Sequence, residues 1–224
     1  MMPIRDAATV IMLKRQTDQT SVLMGMRGAK AVFMPSKFVF PGGAVDPDDA
    51  TTTLSGGLKP RCRQRLEAQP RDGHPANADA IAAAALRELA EETGLLIGRQ
   101  GRCPWPGYAE AALAPDASAL TYLFRAITPP GRPRRFDAHF FVADTTSVIG
   151  DPDDFSRACD ELSHLHWVPL DQARQLDLPF ITEVALAELT QLVQGLPHDG
   201  PIPCPSTVPF FDNRTEVPRF CQIA

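Results

Sequence analysis

The sequence lacks the signatures of several protein classes. It has five cysteines, Cys62, Cys103, Cys159, Cys204 and Cys221, odd in number and widely spaced. No CxxC pair and no Cys/His cluster occurs, so neither a thiolate metal site nor a disulfide framework is indicated. Scattered free thiols in a reducing compartment are expected. Long apolar runs are also missing. The first residues, MMPIRDAATVIMLKRQ, hold an apolar stretch too short and too soon broken by charge for a signal peptide or a membrane span. A cytoplasmic protein with no membrane partner is expected. There is no basic excess either: 22 Lys and Arg against 27 Asp and Glu give a net charge of -5, which argues against a general nucleic-acid surface. An acidic protein can still hold a polyphosphate through bridging cations. No internal repeat appears, and no linker is clean enough to divide the chain.

The length of 224 residues suffices for one core with a sizeable insertion, and 44% hydrophobic residues can fill it. Ala7 to Leu13 and Val22 to Met26 read as paired strands across a polar turn at Gln16 to Ser21. Phe38 to Phe40 is extended and runs into Pro41-Gly42-Gly43, a sharp backbone feature. From about 46 to 78 the character changes to Asp-Pro-Asp-Asp, a Thr run, Gly-Gly and a basic stretch with Arg61, Arg63 and Arg65. This reads as an inserted surface loop with a short helix near Leu58 to Leu66. Thr121 to Thr128, Phe136 to Ala143 and Ser163 to Val168 read as strands. Leu170 to Leu176 reads as a short helix and Thr182 to Val193 as a longer one. The tail from about 197 to 224 is Pro-rich and is expected to be irregular. Strands interrupted by helices in this manner suggest one α/β or α+β domain.

Ala80 to Thr93 is the strongest helix signal, alanine-rich at first and then rich in Leu, Arg and Glu. Asp79 or Asn77 can cap its start, and Gly94 stands where a left-handed residue ends a helix. Glu88 and Glu92 stack on one face, with Glu91 beside them. Three carboxylates in one turn repel unless positive charge lies among them. Arg87 can supply part, and Mg²⁺ or Mn²⁺ the rest, since hard cations favour oxygen ligands. Leu86, Leu89 and the alanines occupy the opposite face and can pack on a sheet. A solvated acidic face would show the same spacing. The glycines at 42 and 43 add the possibility of close backbone approach and a carbonyl ligand.

Arg87 to Leu95 resembles the second half of the signature box of the Nudix hydrolases: Arg-Glu, an aliphatic residue, any residue, Glu-Glu, any residue, Gly, an aliphatic residue. The first half resembles the box in two pieces. Gly43 matches the family glycine, and Asp79 stands where the family usually has Glu. The 35 residues from Ala44 to Ala78 lie between them, against a usual spacing of five. A box split by an insertion is similar to that of peroxisomal coenzyme A diphosphatases and their bacterial relatives. Phe38 to Asp46, Arg135 to Phe141, and Glu161 with His166-Trp167-Val168-Pro169-Leu170 resemble the same subfamily, so the likeness spans roughly Ala7 to Leu192. It departs at Asp79, one methylene short, and at His139, where relatives often carry Arg. Arg27 fits the coenzyme A-associated pattern, but the spacing through Met34-Pro35 does not.

The resemblance implies a Nudix-like α/β/α sandwich with a mixed central sheet over residues 1–224. It implies metal-dependent hydrolysis of a diphosphate bond, most naturally in coenzyme A or acyl-coenzyme A. Alternative substrates are ADP-ribose, NADH or another nucleoside diphosphate derivative, and a non-catalytic nucleotide-binding module is a further alternative. Glu88, Glu91 and Glu92 become the expected metal ligands, with the Gly43 carbonyl a further one and Mg²⁺ or Mn²⁺ the cofactor. Arg87 braces the carboxylates. Glu161 is the first candidate for proton removal, against a solvent-facing charge. Arg27, Arg134 and Arg135 are candidates for phosphate contact, since guanidinium matches phosphate oxygens. Asp137 and His139 alternate along a strand and could face a pocket. Trp167, Phe33, Phe38 and Phe40 could meet the substrate's organic part, although core packing gives the same pattern. His164 and His166 have no clear partner in sequence. The expected ligand is a small nucleoside diphosphate derivative, and relatives suggest a homodimer. The insertion's arginines can cover the site, contact a 3'-phosphate or meet another subunit, or the insertion is a mobile excursion.

Overall fold

Alternation along the first strand sets the layers. In the computed structural model, which describes residues 3–28, 34–71, 73 and 75–224, β1 (Ile4–Arg15) is buried on both faces over most of its length. Ala8, Val10 and Met12 point to one core, and Ile11 and Leu13 to the other. Successive side chains of a strand point to opposite faces, so a strand with two apolar sets needs cover on both sides. α2 (Ala78–Thr93) covers the first side through Ile81, Ala82, Ala85, Leu86 and Leu89. α3 (Phe180–Val193) covers the other through Ala185, Leu186 and Leu189.

The remaining strands are β2 (Thr20–Arg27), β3 (Phe38–Val39), β4 (Gly42–Ala44), β7 (Thr121–Ile127), β8 (Arg135–Asp144), β9 (Leu162–Pro169), β10 (Val208–Asp212) and β11 (Arg219–Ile223). With β1 they form one mixed sheet in the order β11-β10-β7-β8-β1-β2-β3. The pairs β1/β8 and β7/β10 are parallel, and the other pairs are antiparallel. The sheet forks beside β1. β2 pairs with its end at Leu13 to Arg15, and β4 pairs with its beginning at Ala7 to Thr9. That fork brings the Gly-Gly segment under α2. A separate two-stranded ribbon, β5 (Gly98–Gln100) with β6 (Leu113–Pro115), follows α2. The expected α/β/α sandwich with a mixed central sheet is the observed architecture.

Three segments differ from the sequence expectation. The tail is not irregular throughout, because Val208, Phe210 and Ile223 are buried and β10 and β11 extend the sheet beyond β7. Its proline content obscured a short apolar alternation that only the β7 edge could use. Leu170 to Leu176 is not a helix; it holds only a three-residue 3-10 turn at Ala173–Gln175. The insertion is not a surface excursion. The short helix expected near Leu58 to Leu66 is present as α1 (Pro60–Glu67), and a 3-10 turn at Pro47–Thr51 precedes it. Leu58, Cys62 and Leu66 recur every fourth residue and are buried in the α2-side core. Phe33, Asp72 and His74 lie outside the described residues.

Candidate active site

α2 is defined at both ends. The Asn77 side chain accepts the Ala80 N–H at 3.1 Å, so Asn77 is the cap. Asp79 instead pairs with Arg63 of α1, whose Nη1 lies 3.1 Å from its Oδ2. Gly94 has φ 78° and closes the helix by donating to the Ala90 carbonyl at 2.8 Å. In between, the buried alanines allow close seating on the sheet, which holds the last two turns rigidly beside β4.

Glu88 and Glu92 meet the Gly-Gly strand. A Cβ on Gly43 would lie 2.4 Å from Glu88 Oε1, so only glycine leaves room for that carboxylate. A Cβ on Gly42 would lie 2.4 Å from the Ala8 carbonyl. The Gly42 N–H donates to Glu92 Oε2 at 2.7 Å. Glu92 is 1% exposed, and its other oxygen, Oε1, has no hydrogen-bond partner. The nearest described cation to that oxygen is Arg27, whose Nη2 is 4.0 Å away and also donates to the Gly42 carbonyl at 3.4 Å. Burial pushes the Glu92 carboxyl up to about 8; the Gly42 N–H pulls it down, and the nearby charges of Glu88 and Glu161 raise it. Burial also raises Glu88, against the pull of Arg87 and with the push of Glu91 and Glu161. Glu161 is exposed, at the entry to β9, and its charge is felt by both helix carboxylates.

Arg87 braces the group. It donates to Asp49 through Nε at 2.9 Å and Nη2 at 3.1 Å, to Glu88 at 2.8 Å, to Glu91 at 3.1 Å and to the Ala44 carbonyl at 3.0 Å. Asp49 is 1% exposed and was missed in the sequence. Its backbone N–H donates to the Asp46 carbonyl, and its side chain accepts the Asp46 N–H at 2.8 Å. The legible signal was Asp-Pro-x-Asp, the spacing of a capped first turn with proline inside it. The first residues of the insertion thus supply the counter-charge that fixes Arg87.

A cation suits this donor set. It would meet several hard oxygens, one of them buried with no hydrogen bond, and it would favour the ionised form of Glu92, whose carboxyl burial pushes up to about 8.

The structure therefore brings together Gly43, Arg87, Glu88, Glu91, Glu92, Arg27 and Glu161. It does not bring in Arg135. That side chain is buried, donates to the Thr128 carbonyl at 3.0 Å and the Asn213 carbonyl at 2.7 Å, and ties the tail to the sheet. Arg135 pairs with Ile4, whereas Gly43 pairs with Ala8, roughly 13 Å further along β1. Arg134 precedes it and is exposed in the same turn, equally remote along the strand.

Asp137 and His139 do not face a pocket either; they are 1% and 0% exposed. Asp137 accepts two hydrogen bonds from Arg125, at 2.8 and 2.7 Å. Burial would raise its carboxyl, but the Arg125 bonds and neighbouring charges hold it below the ordinary carboxylate range. His139 Nδ1 lies 2.9 Å from the Tyr122 hydroxyl, and burial pushes this imidazole down to about 4. Trp167 packs against the α2-side core with the Lys14 ammonium over its ring, and Phe38 and Phe40 belong to the α3-side core. His166 sits edge-on to Phe38, with ring centroids 5.9 Å apart, and its Nδ1 lies 2.7 Å from the His164 carbonyl.

Together these features describe a three-layer α/β/α protein whose middle sheet presents a Gly-Gly strand to a carboxylate-bearing helix. A crystal structure of a NUDIX hydrolase from Alicyclobacillus acidocaldarius is similar with a TM-score of 0.59 and 29% identity, covering 84% of this chain and 91% of that one. A Caenorhabditis elegans protein named "Putative nudix hydrolase 7" is 28% identical over 184 residues, which are 73% of this chain. The chain spans about half, 51%, of the length of that curated relative. The NUDIX domain of Shewanella oneidensis NrtR, crystallised with ADP ribose, shares the fold at a TM-score of 0.50 and 13% identity, covering 85% of this chain and 89% of that one. No family model matches the chain. With the split box in place on α2 and β4, the chain is similar to the Nudix hydrolases in fold, in sequence and in the placing of that box.

Proposed function

We propose that the chain is a divalent-cation-dependent hydrolase that cleaves the diphosphate bond of a nucleoside diphosphate derivative, with coenzyme A or acyl-coenzyme A as the first substrate class. The observation that carries the reading is the buried, hydrogen-bond-free Oε1 of Glu92, set among Glu88, Glu161 and Arg27. A purely structural acidic face would leave these oxygens in water. Mg²⁺ or Mn²⁺ held by Glu88, Glu91, Glu92 and the Gly43 carbonyl would screen the negative diphosphate and acidify an attacking water.

The chain's own residues do the rest. Arg27 is 4.0 Å from Glu92 and can pass its guanidinium to a phosphate oxygen once that carboxylate has another partner. Glu161 stands outside the helix, close enough for its charge to act on Glu88 and Glu92, and takes the proton from the water. Arg87 does not touch substrate; its bonds to Asp49, Glu88 and Glu91 keep the carboxylates from splaying. Coenzyme A leads the substrate choice because the box is interrupted, as in the subfamily it resembles.

The test is a panel of free and acylated coenzyme A, ADP-ribose, NADH and dinucleoside polyphosphates, with Mg²⁺ or Mn²⁺ and mass analysis of products. Hydrolysis of coenzyme A to 3',5'-ADP and a phosphopantetheine product is the expected outcome. Glu161→Gln should lower kcat by about 100-fold or more. A panel without any turnover refutes the activity. Turnover that survives loss of both Glu91 and Glu92 refutes the assigned site.

A further inference from the structure

The five cysteines are not all scattered once the chain is folded. Cys62 lies on α1 of the insertion and Cys204 on the irregular segment between α3 and β10, yet their Sγ atoms are 3.4 Å apart across 142 positions of sequence. No other pair of cysteine sulfurs makes such a contact among the described residues. Both are free thiols. Cys62 is 2% exposed, whereas Cys204 is half-buried and reaches the surface.

The contact is built. Arg65, one turn beyond Cys62 on the same face of α1, donates to the carbonyls of Pro205 and Ser206, the two residues after Cys204. The segment around Cys204 is thereby held against α1. The Cys62 sulfur also accepts the Tyr122 N–H at 3.4 Å, which fixes it from the sheet side. Closing the pair to a covalent distance needs a movement of about 1.4 Å. Cys204 sits on backbone outside any helix or strand, so that movement disturbs no ladder.

We propose that Cys62 and Cys204 are a redox-responsive pair that closes to a disulfide and staples the insertion helix to the C-terminal segment. The oxidant is a small disulfide, RSSR. The Cys204 thiolate attacks one of its sulfurs, the S–S bond of RSSR breaks, and RS⁻ leaves. Cys62 then gives its proton to that thiolate and attacks the Cys204 sulfur, and the second RS⁻ departs and is protonated by solvent. Two thiols and RSSR become one protein disulfide and two RSH. Burial raises the Cys62 thiol to about 11, so Cys62 waits as the resolving partner while Cys204 meets the oxidant. The bond would close a loop spanning much of the chain, where cross-linking restricts the unfolded state most strongly.

The experiment treats the full chain with oxidised glutathione and compares it with the reduced protein. The expected result is an intact mass lower by two hydrogens and a Cys62–Cys204 cross-linked peptide. The melting temperature should rise by at least about 5 °C and return on adding dithiothreitol. Cys204→Ser, at a half-buried position, should fold and show neither the mass change nor the rise. A stable glutathione adduct on Cys204 without ring closure overturns the proposal. So does a disulfide that maps to Cys221, or a Cys62–Cys204 bond that leaves the melting temperature unchanged or lowers it.

Discussion

Replacing Glu92 by glutamine should make the metal-free protein more stable while removing its activity. Glu92 is 1% exposed and carries a carboxyl pushed by burial up to about 8 from an ordinary 4.5. At pH 7 the unfolded side chain is ionised and the folded one is protonated. Taking up that proton costs about 3 kcal/mol, at roughly 1.4 kcal/mol per pH unit. The folded state binds the extra proton between pH 4.5 and 8, so this contribution to stability falls as pH rises through that window. Glutamine needs no proton, and its carbonyl can still accept the Gly42 N–H that Glu92 now takes at 2.7 Å. An amide NH₂ in the place of the partnerless Oε1 would be buried without a hydrogen bond, which offsets part of the gain. A net rise of about 2 kcal/mol is expected at pH 7 in chelator, or roughly 4–8 °C in melting temperature. Hydrolysis should fall at least about 100-fold. The assay is urea unfolding at several pH values from 5 to 8, with EDTA, beside turnover with Mg²⁺ or Mn²⁺. A variant that is less stable than the parent in EDTA, with the same fall in stability between pH 5 and 8, would show that Glu92 is not a desolvated carboxyl and would refute the reasoning.

Three further outcomes follow from named contacts. Gly43→Ala places a Cβ 2.4 Å from Glu88 Oε1, so that carboxylate must leave its place; turnover should drop by about tenfold or more and stability by about 1–3 kcal/mol, read by kinetics and calorimetry. His139→Gln should flatten the acid limb of stability. The buried imidazole, near 4 when folded and 6.5 when unfolded, binds its proton only in the unfolded state between those values, so up to about 3 kcal/mol is lost as pH falls from 6.5 to 4 in the parent and not in the variant. Leu66→Ala, in the insertion but 0% exposed, should cost roughly 3 kcal/mol by urea unfolding, whereas a mobile excursion would tolerate it within about 0.5 kcal/mol.

The helix that carries the site was legible because its signals are local. Alanine-rich sequence, carboxylates at positions 88, 91 and 92, and a glycine stop all act within a few turns, and the folded chain keeps them in α2. The strands β1, β2, β7, β8 and β9 were legible from short apolar runs for the same reason. Strand existence did not reveal which face each residue would meet. The alternation that placed Asp137 and His139 toward a pocket is satisfied instead by the buried network with Arg125 and Tyr122. Arg135 suits a phosphate contact by residue type, yet its guanidinium ties the tail to β8. No helix among the described residues is long and apolar enough to cross a membrane, as the missing apolar runs imply.

Local sequence defines the carboxylate cluster and a Gly-Gly segment able to take close backbone approach, because charge repulsion and backbone freedom belong to the residues themselves. What stands among the carboxylates is set by long-range packing. The forked pairing of β1 carries Gly42 and Gly43 to Glu92 and Glu88 across about 50 positions. The insertion folds back to bring Asp49 onto Arg87, and α1 meets the tail at Cys62 and Cys204. These are long-range contacts, fixed by which faces of the sheet remained to be covered, and no local pattern encodes them. The acidic helix was a possible cation site as a sequence; burial of one unpaired carboxylate oxygen against the glycine strand is what distinguishes it from a solvated acidic face.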